Sequence, residues 1–215
     1  SNAGGFGSRH QGTKMAHNIF QTNGSVQFTD DKTKAGFPVQ PVISGSVTVR
    51  HEQFGPVTQT TIRLDNVAQA VVNGTEYQSN KIYSFPQARM NVLGVMATLQ
   101  QKTTSAVDST LNASSTGAIS LGTAAASATT LASAMVDLLP STAFTSSATI
   151  NVAGTAVSAV LAATATLFDG TGTAKDMYLN TAYATTGDVD ADATQTISGY
   201  IKITWVNLGD LPVIG

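Results

Sequence analysis

The side chains best suited to acid–base catalysis are few in this sequence. His10, His17 and His51 are the only histidines, and all lie in the first quarter of the chain. A Ser–His–Asp triad needs an imidazole beside a serine and a carboxylate, so one of these histidines would have to reach a distant part of the chain. There is no cysteine to supply a thiolate nucleophile. The residues therefore predict no catalytic site, and a protein that is not an enzyme.

Three aspartates at alternate positions are the only candidate metal ligands. Asp188, Asp190 and Asp192 stand in the stretch GDVDADAT, and calcium takes carboxylate oxygens from loops of this kind. The turn glycine and distal glutamate of an EF-hand are missing. The stretch is therefore predicted to be an acidic turn before the next strand, with calcium as the only candidate cofactor.

A glycine-rich stretch, Asp169 to Thr173, superficially resembles a phosphate-binding loop. No Gly-Lys-Ser/Thr follows it, so a β-turn is predicted there instead. The basic residues are not clustered with aromatic ones, which argues against nucleic acid as a partner. No stretch has the roughly 18 consecutive apolar residues of a membrane span, so no membrane partner is expected.

The clearest structural element lies near the C-terminus. From Ile197 to Trp205 the sequence alternates with period two, which is typical of a strand with one buried face. Trp205, the only tryptophan, closes the row predicted to be buried. The opposite row faces solvent or a partner and consists of Ser198, Tyr200, Lys202 and Thr204.

Other strand signals recur every 10 to 15 residues between Gly, Asn and Asp turns. The stretch Val92 to Leu99 is apolar on both faces, as expected of a strand covered on both sides. Leu131, Met135 and Leu138 have helical spacing before Pro140 and predict one short helix. Together these signals predict an all-β fold, a jelly-roll-like antiparallel β-sandwich with an extended N-terminal arm and at most one short helix.

Three regions are predicted along the chain. Residues 1–14 comprise a tag scar, Ser1-Asn2-Ala3, and a disordered tail; residues 15–55 form an extended arm with a small hairpin at Asn23-Gly24; residues 56–212 form the sandwich. The arm lacks a core of its own, so we expect it to pack on the body or on a neighbour. Its apolar residues are the interface candidates: Ile19, Phe20, Val26, Phe28, Val42, Val47 and Val49.

Charge is distributed unevenly along the chain. Nine of the eleven Lys and Arg residues precede Thr103, with five acids, whereas two Lys and eight Asp follow it. Such asymmetry favours docking between the basic part of one molecule and the acidic part of another, although scattered solvated charges are an equally good interpretation.

Five spaced segments resemble a family of virion structural proteins from tailed phages and prophages. They cover much of the range from Val57 to Asp210, and no counterpart is found before about Gly55. The segments are KIYSFPQARMNVLGVMATL from Lys81, SLGTAAAS from Ser120, TLASAMVDLLP from Thr130, FDGTGTAKDMYLN from Phe168 and GYIKITWVNLGD from Gly199.

The resemblance is to jelly-roll cement, or decoration, proteins of phage heads. It implies a non-enzymatic protein on the capsid exterior of the virion, made in the cytoplasm of the bacterial host. Its partners would be its own copies, as a dimer or trimer, and the major capsid protein. The alternatives are a head-fibre or tail-associated module that binds host-surface glycans, then a bacterial surface adhesin, then a hydrolase. For glycan binding, the candidate aromatic residues are Tyr178, Tyr183, Tyr200 and Trp205.

Overall fold

The computed structural model describes side chains over residues 46–104, 116–147, 152–160, 166–183, 189 and 191–209. It also describes the backbone of two short strands, 19–22 and 25–28. Twelve strands and one 3-10 turn make up the regular structure of these residues. None of their helical segments is long and apolar enough to cross a membrane.

Eight strands form a large antiparallel sheet. Its order is β1-β2-β3-β4-β12-β6-β10, and β9 also pairs with β6 next to β10. The strands are β1 (Ile19–Thr22), β2 (Ser25–Phe28), β3 (Val47–Phe54), β4 (Val57–Val71), β6 (Arg89–Thr103), β9 (Val157–Val160), β10 (Thr166–Asp169) and β12 (Ala193–Gly209).

Four strands form a small antiparallel sheet that packs against the large one. Its order is β5-β11-β7-β8. The strands are β5 (Tyr77–Ser84), β7 (Thr116–Gly122), β8 (Leu139–Thr145) and β11 (Asp176–Tyr183).

The connections identify the sandwich as a jelly roll. From β4 onward the chain changes sheet at every connection except β7–β8 and β9–β10. The resulting orders, β4-β12-β6-β9/β10 and β5-β11-β7-β8, are those of two interlocked Greek keys. The prediction of an all-β, jelly-roll-like antiparallel sandwich is confirmed.

The core lies between the two sheets and is centred on β12. The predicted alternation along β12 is present, since Ile197, Ile201, Ile203 and Trp205 are buried. β12 pairs with β4 on one side and with β6 on the other over most of its length. This strand therefore carries both the core and the middle of the opposite, solvent-facing surface.

The predicted helix around Leu131 is only a 3-10 turn, Ser133–Met135. In a longer helix the Met135 carbonyl would accept a hydrogen bond from a backbone amide of the same helix. Here it accepts hydrogen bonds from side chains of the small sheet instead. The Ser120 hydroxyl and the Asn180 amide both donate to the Met135 carbonyl, at 2.7 and 2.9 Å. Backbone groups satisfied in this way gain nothing from helical pairing.

Around the predicted arm, β1 and β2 pair antiparallel where the sequence predicts a hairpin. The next strand, β3, pairs along its whole length with β4. Val47 and Val49 of β3 are partly buried against the core. The predicted boundaries 1–14, 15–55 and 56–212 remain predictions, and β3 is in contact with the sandwich whichever region it is assigned to.

Candidate functional site

His51, the one histidine within the described residues, makes its contacts with side chains of the sandwich. His51 Nδ1 lies 3.0 Å from Thr60 Oγ1, and its ring packs 5.9 Å from that of Tyr83. Trp205 Nε1 donates to the same Thr60 hydroxyl at 2.9 Å. Burial raises the pKa of the Tyr83 phenol, so that group stays protonated. His10 and His17 lie outside the described residues.

These side chains extend into an aromatic cluster at one end of the sandwich. The Phe85 ring packs edge-on against the rings of Tyr83 and Trp205, with centroids 4.9 and 6.1 Å away. It also packs against Phe168 at 5.3 Å. Aromatic pairs in this geometry stabilise a core, and the cluster therefore fixes the sheets on which any functional surface stands.

The predicted acidic turn is only partly described. Asp188 and Asp190 lie outside the described residues. Asp192 Oδ1 accepts a hydrogen bond from the Asn73 backbone amide at 3.0 Å, which joins this turn to the one after β4. No cluster of three metal-ligating side chains is found where side chains are described, and the acidic turn at Asp188, Asp190 and Asp192, with calcium as the only candidate cofactor, stays a prediction.

The glycine-rich stretch after β10 forms a turn closed by Asp169. The backbone amide and hydroxyl of Thr171 both donate to Asp169 Oδ1, at 2.9 and 2.6 Å. Arg89 Nε contacts the other carboxylate oxygen at 3.2 Å. The hydrogen bonds from Thr171 contribute most to lowering the pKa of Asp169 to about 2, and Arg89 lowers it further. The carboxylate caps a turn, as aspartate commonly does.

The outer face of the small sheet is closed by the chain itself. The Asn180 amide donates to the carbonyls of Ala124 and Met135, at 3.0 and 2.9 Å. Its oxygen accepts from the Ala126 amide at 3.0 Å and from the Ser79 hydroxyl at 2.6 Å. The segment 123–138 is thereby fastened over β5, β11 and β7, and Asn180 is fully buried beneath it.

The outer face of the large sheet has no such cover among the described residues. Nine large apolar side chains are exposed in that part of the chain, and seven of them lie on strands of this sheet on its solvent side. The other two, Val72 and Val152, lie in connecting segments. We call the seven the apolar patch: Phe54, Leu93, Met96, Val160, Leu167, Tyr200 and Leu208.

Strand register fixes how this face is arranged. One row across it runs Arg50, Thr61, Lys202, Met96 and Val160, from β3 to β9. The next row along the strands runs Glu52, Gln59, Thr204 and Gly94. We call these the Lys202 row and the Thr204 row.

The charges on this face alternate along its strands. Arg50 pairs with Glu52 on β3 at 2.8 Å, and Arg63 lies 3.6 Å from Asp65 on β4. Cations and carboxylates thus stand side by side on β3 and β4, while the apolar patch is concentrated towards β6, β9 and β10. The face combines an apolar area with an area of mixed charge.

A polar groove of about 260 Å³ lies at the far end of the same face. Gln100, Lys102, Thr196 and Ser198 contribute to its wall, together with Asn66, Gln101 and Ala153. Tyr200, two residues along β12 from Ser198, lies beside it on the same face. Tyr200 is 54% exposed, whereas Trp205 and Tyr183 are buried and Tyr178 is half-buried.

Of the seven predicted interface residues, two have described side chains. Val47 and Val49 face the core from β3. Ile19 and Phe20 lie on β1 and Val26 and Phe28 on β2, whose side chains are not described, and Val42 lies outside the described residues. Their role in an interface stays a prediction.

The predicted solvent-side row of β12 and the apolar patch share one face, but most of the patch was missed by sequence reasoning. The signal was present in Val92 to Leu99, which is apolar on both faces. The stretch predicts a strand covered on both sides; instead Leu93 and Met96 are 44% and 57% exposed. Within the described residues that half of the prediction is wrong, because they supply no outer cover.

Comparison with known proteins adds little. The sequence matches no protein-family model and no curated protein. Among solved structures, a chain of the "Cyanophage Pam1 capsid asymmetric unit" matches with a TM-score of 0.31 and 13% identity. The match covers 84% of this chain and 99% of that chain. Similarity at this level says nothing about the function of this chain.

Proposed function

We propose that this protein is a non-enzymatic structural protein of a phage virion, a decoration or cement protein that self-associates and binds the assembled head shell. The observation that carries the proposal is the open apolar face of the large sheet. Exposed apolar area gathered on one face marks an interaction surface. The resemblance of the five sequence segments to phage virion proteins supplies the partner, the major capsid protein, and the site, the capsid exterior.

The arrangement of polar groups supports a scaffold role. His51 lies within hydrogen-bond distance of the Thr60 hydroxyl, and Asp169 accepts a hydrogen bond from the Thr171 hydroxyl. Asn180 holds the segment 123–138 over the small sheet. A cement protein needs a stiff body, a surface for its own copies and a means of gripping the shell. In this proposal the residues of the predicted arm, Ile19, Phe20, Val26, Phe28 and Val42, grip the shell.

Binding to capsids tests the proposal. Expanded heads that lack the protein are mixed with the full chain and sedimented, and we expect saturable binding at a fixed number of copies per head. Phe20→Glu and Phe28→Glu should reduce occupancy, because a charge replaces an apolar contact. Gln21→Glu, next to Phe20 in β1, is the matched control. Absence of wild-type binding would overturn the proposal.

A second function is favoured by one observation, the exposed Tyr200 ring beside the polar groove. Aromatic rings flanked by amide and hydroxyl groups suit the mixed surface of a sugar, so a module that binds host-surface glycans is the alternative. A glycan array tests it, with Tyr200→Ala expected to abolish any signal and Tyr178→Ala, on the other sheet, to preserve it. A specific glycan signal without capsid binding would favour this alternative.

A further inference from the structure

We propose that the outer face of the large sheet is the contact face of a symmetric dimer, covered by the same face of a second copy of this chain. The inference specifies the self-association within the proposed function and does not depend on capsid binding. Its starting point is the stretch Val92 to Leu99 of β6, which is apolar on both faces although only its inner side is covered by the described chain.

The face has the area that a stable dimer requires. Strands β3, β4, β12 and β6 occupy four positions across the sheet, and β9 and β10 share the fifth beside β6. Five positions span roughly 24 Å at about 4.8 Å per strand. Nine residues of β12, from Ser198 to Val206, span roughly 30 Å at about 3.3 Å each. The product is about 700 Å², close to the ~800 Å² that each partner contributes to a standard interface.

The pattern of the two central rows is self-complementary. A two-fold axis lying in the face, perpendicular to the strands and between the Lys202 row and the Thr204 row, exchanges these rows between subunits. Arg50 then faces Glu52 of the partner subunit, and the reverse contact forms by symmetry, as an isologous interface requires. Lys202 faces Thr204 of the partner subunit.

The same two-fold axis places the central apolar side chain, Met96, opposite a glycine. Met96 faces Gly94 of the partner subunit, next to the partner subunit's Leu93. Nothing lies within 4 Å of the position that a Cβ atom would take at Gly94. The glycine therefore leaves a shallow depression on the face, and a flexible methionine is well suited to fill it.

The alternating charges favour a second copy over another protein. Arg50 and Glu52 are two residues apart on β3, with their charged atoms 2.8 Å apart. An antiparallel copy of the same strand presents the opposite order of signs. A partner of uniform charge would attract one residue of this pair and repel the other.

Analytical ultracentrifugation of the full chain tests the inference. We expect a dimer for the wild type. Met96→Glu should raise the dimer Kd at least about 30-fold, the size of an interface hot spot. The matched control is Val152→Glu, which places the same charge on a residue that is 50% exposed but lies outside the face. It should leave the dimer unchanged.

Charge reversal adds a test of orientation. Arg50→Glu should weaken the dimer about tenfold, and the double variant Arg50→Glu/Glu52→Arg should restore it, because both contacts return with opposite signs. Thermal melting of each variant checks that it is folded. A monomeric or trimeric wild type, or a dimer that survives Met96→Glu, would overturn the inference.

The outcomes separate this inference from the proposed function. A dimer that responds as expected but does not bind capsids overturns the proposed function and supports the dimer face. A wild-type monomer that binds capsids supports the shell-binding role and overturns the dimer face.

Discussion

The indole Nε1 of Trp205 donates a 2.9 Å hydrogen bond to the Thr60 hydroxyl, which also lies 3.0 Å from His51 Nδ1. One buried hydroxyl thus links β12, β4 and β3 beneath the aromatic cluster. The bond explains why a lone tryptophan is tolerated in the core, since a buried indole N–H needs an acceptor. It also attaches β3, which lies within the predicted arm, to the centre of the sandwich.

Replacing this hydroxyl should destabilise the fold. Thr60→Val keeps the side-chain shape but removes the acceptor of the Trp205 N–H, and we expect a loss of about 1–3 kcal/mol in the free energy of unfolding. Chemical denaturation measures it. Thr61→Val, the adjacent residue on the outer face, should change stability by less than about 0.5 kcal/mol. Equal effects for the two variants would show that the hydrogen bond contributes little.

Gly199 should tolerate no side chain. Its φ is +144°, and an added Cβ would lie only 2.1 Å from the Thr98 carbonyl oxygen, where β12 bulges against β4. Gly199→Ala should therefore cost at least about 3 kcal/mol through backbone strain and overlap. Gly172→Ala, in a loop with nothing within 4 Å, is the control and should melt like the wild type. A wild-type melting temperature for Gly199→Ala would contradict the bulge.

Asn180 should be required for the closed face of the small sheet. Asn180→Ala removes a buried amide that makes four hydrogen bonds and leaves backbone groups of Ala124, Ala126 and Met135 without this partner. We expect a loss of about 2–4 kcal/mol. Hydrogen exchange should also become faster across 123–138. Asn207→Ala on the exposed end of β12 is the control; unchanged exchange in Asn180→Ala would mean that other contacts hold the segment.

The Asp169 turn should make stability depend on pH in the acid range. Its pKa is lowered from 3.8 to about 2, so the folded state favours the charged form. The stabilisation is present above about pH 4 and is lost as the pH falls towards 2. Melting curves of wild type and Asp169→Asn should therefore differ at pH 5 and converge near pH 2. A difference that stays constant across this range would argue against the carboxylate as its origin.

Calcium is expected to have no effect on stability. The sequence Asp188 to Asp192 is predicted to be an acidic turn, and Asp192 Oδ1 already accepts the Asn73 amide. Melting temperatures in millimolar calcium and in chelator should coincide, because a ligand that binds only the folded state raises stability. A rise in calcium that disappears in Asp190→Asn would establish a site.

The sequence alone determined the fold class and the central strand. The alternation from Ile197 to Trp205 is a local property of the chain, and the structure buries the predicted row. Asn73-Gly74 likewise specifies a turn by its own backbone preferences, and Gly74 has a φ of +84°. Such features depend on neighbours a few residues apart, so they can be predicted without knowing which strands meet.

Only the tertiary structure determined which outer sheet face is covered and which is exposed among the described residues. Asn180 closes the small sheet through residues 45 to 56 positions away in sequence, and no local pattern indicates that contact. Met96 lies beside Lys202 and Val160 only because long-range register places three strands side by side. The stretch Val92 to Leu99 of β6 is apolar on both faces. Only the folded arrangement shows that Leu93 and Met96 on its outer side are exposed in the part of the chain that the structure describes, since burial is a property of the assembled sheets.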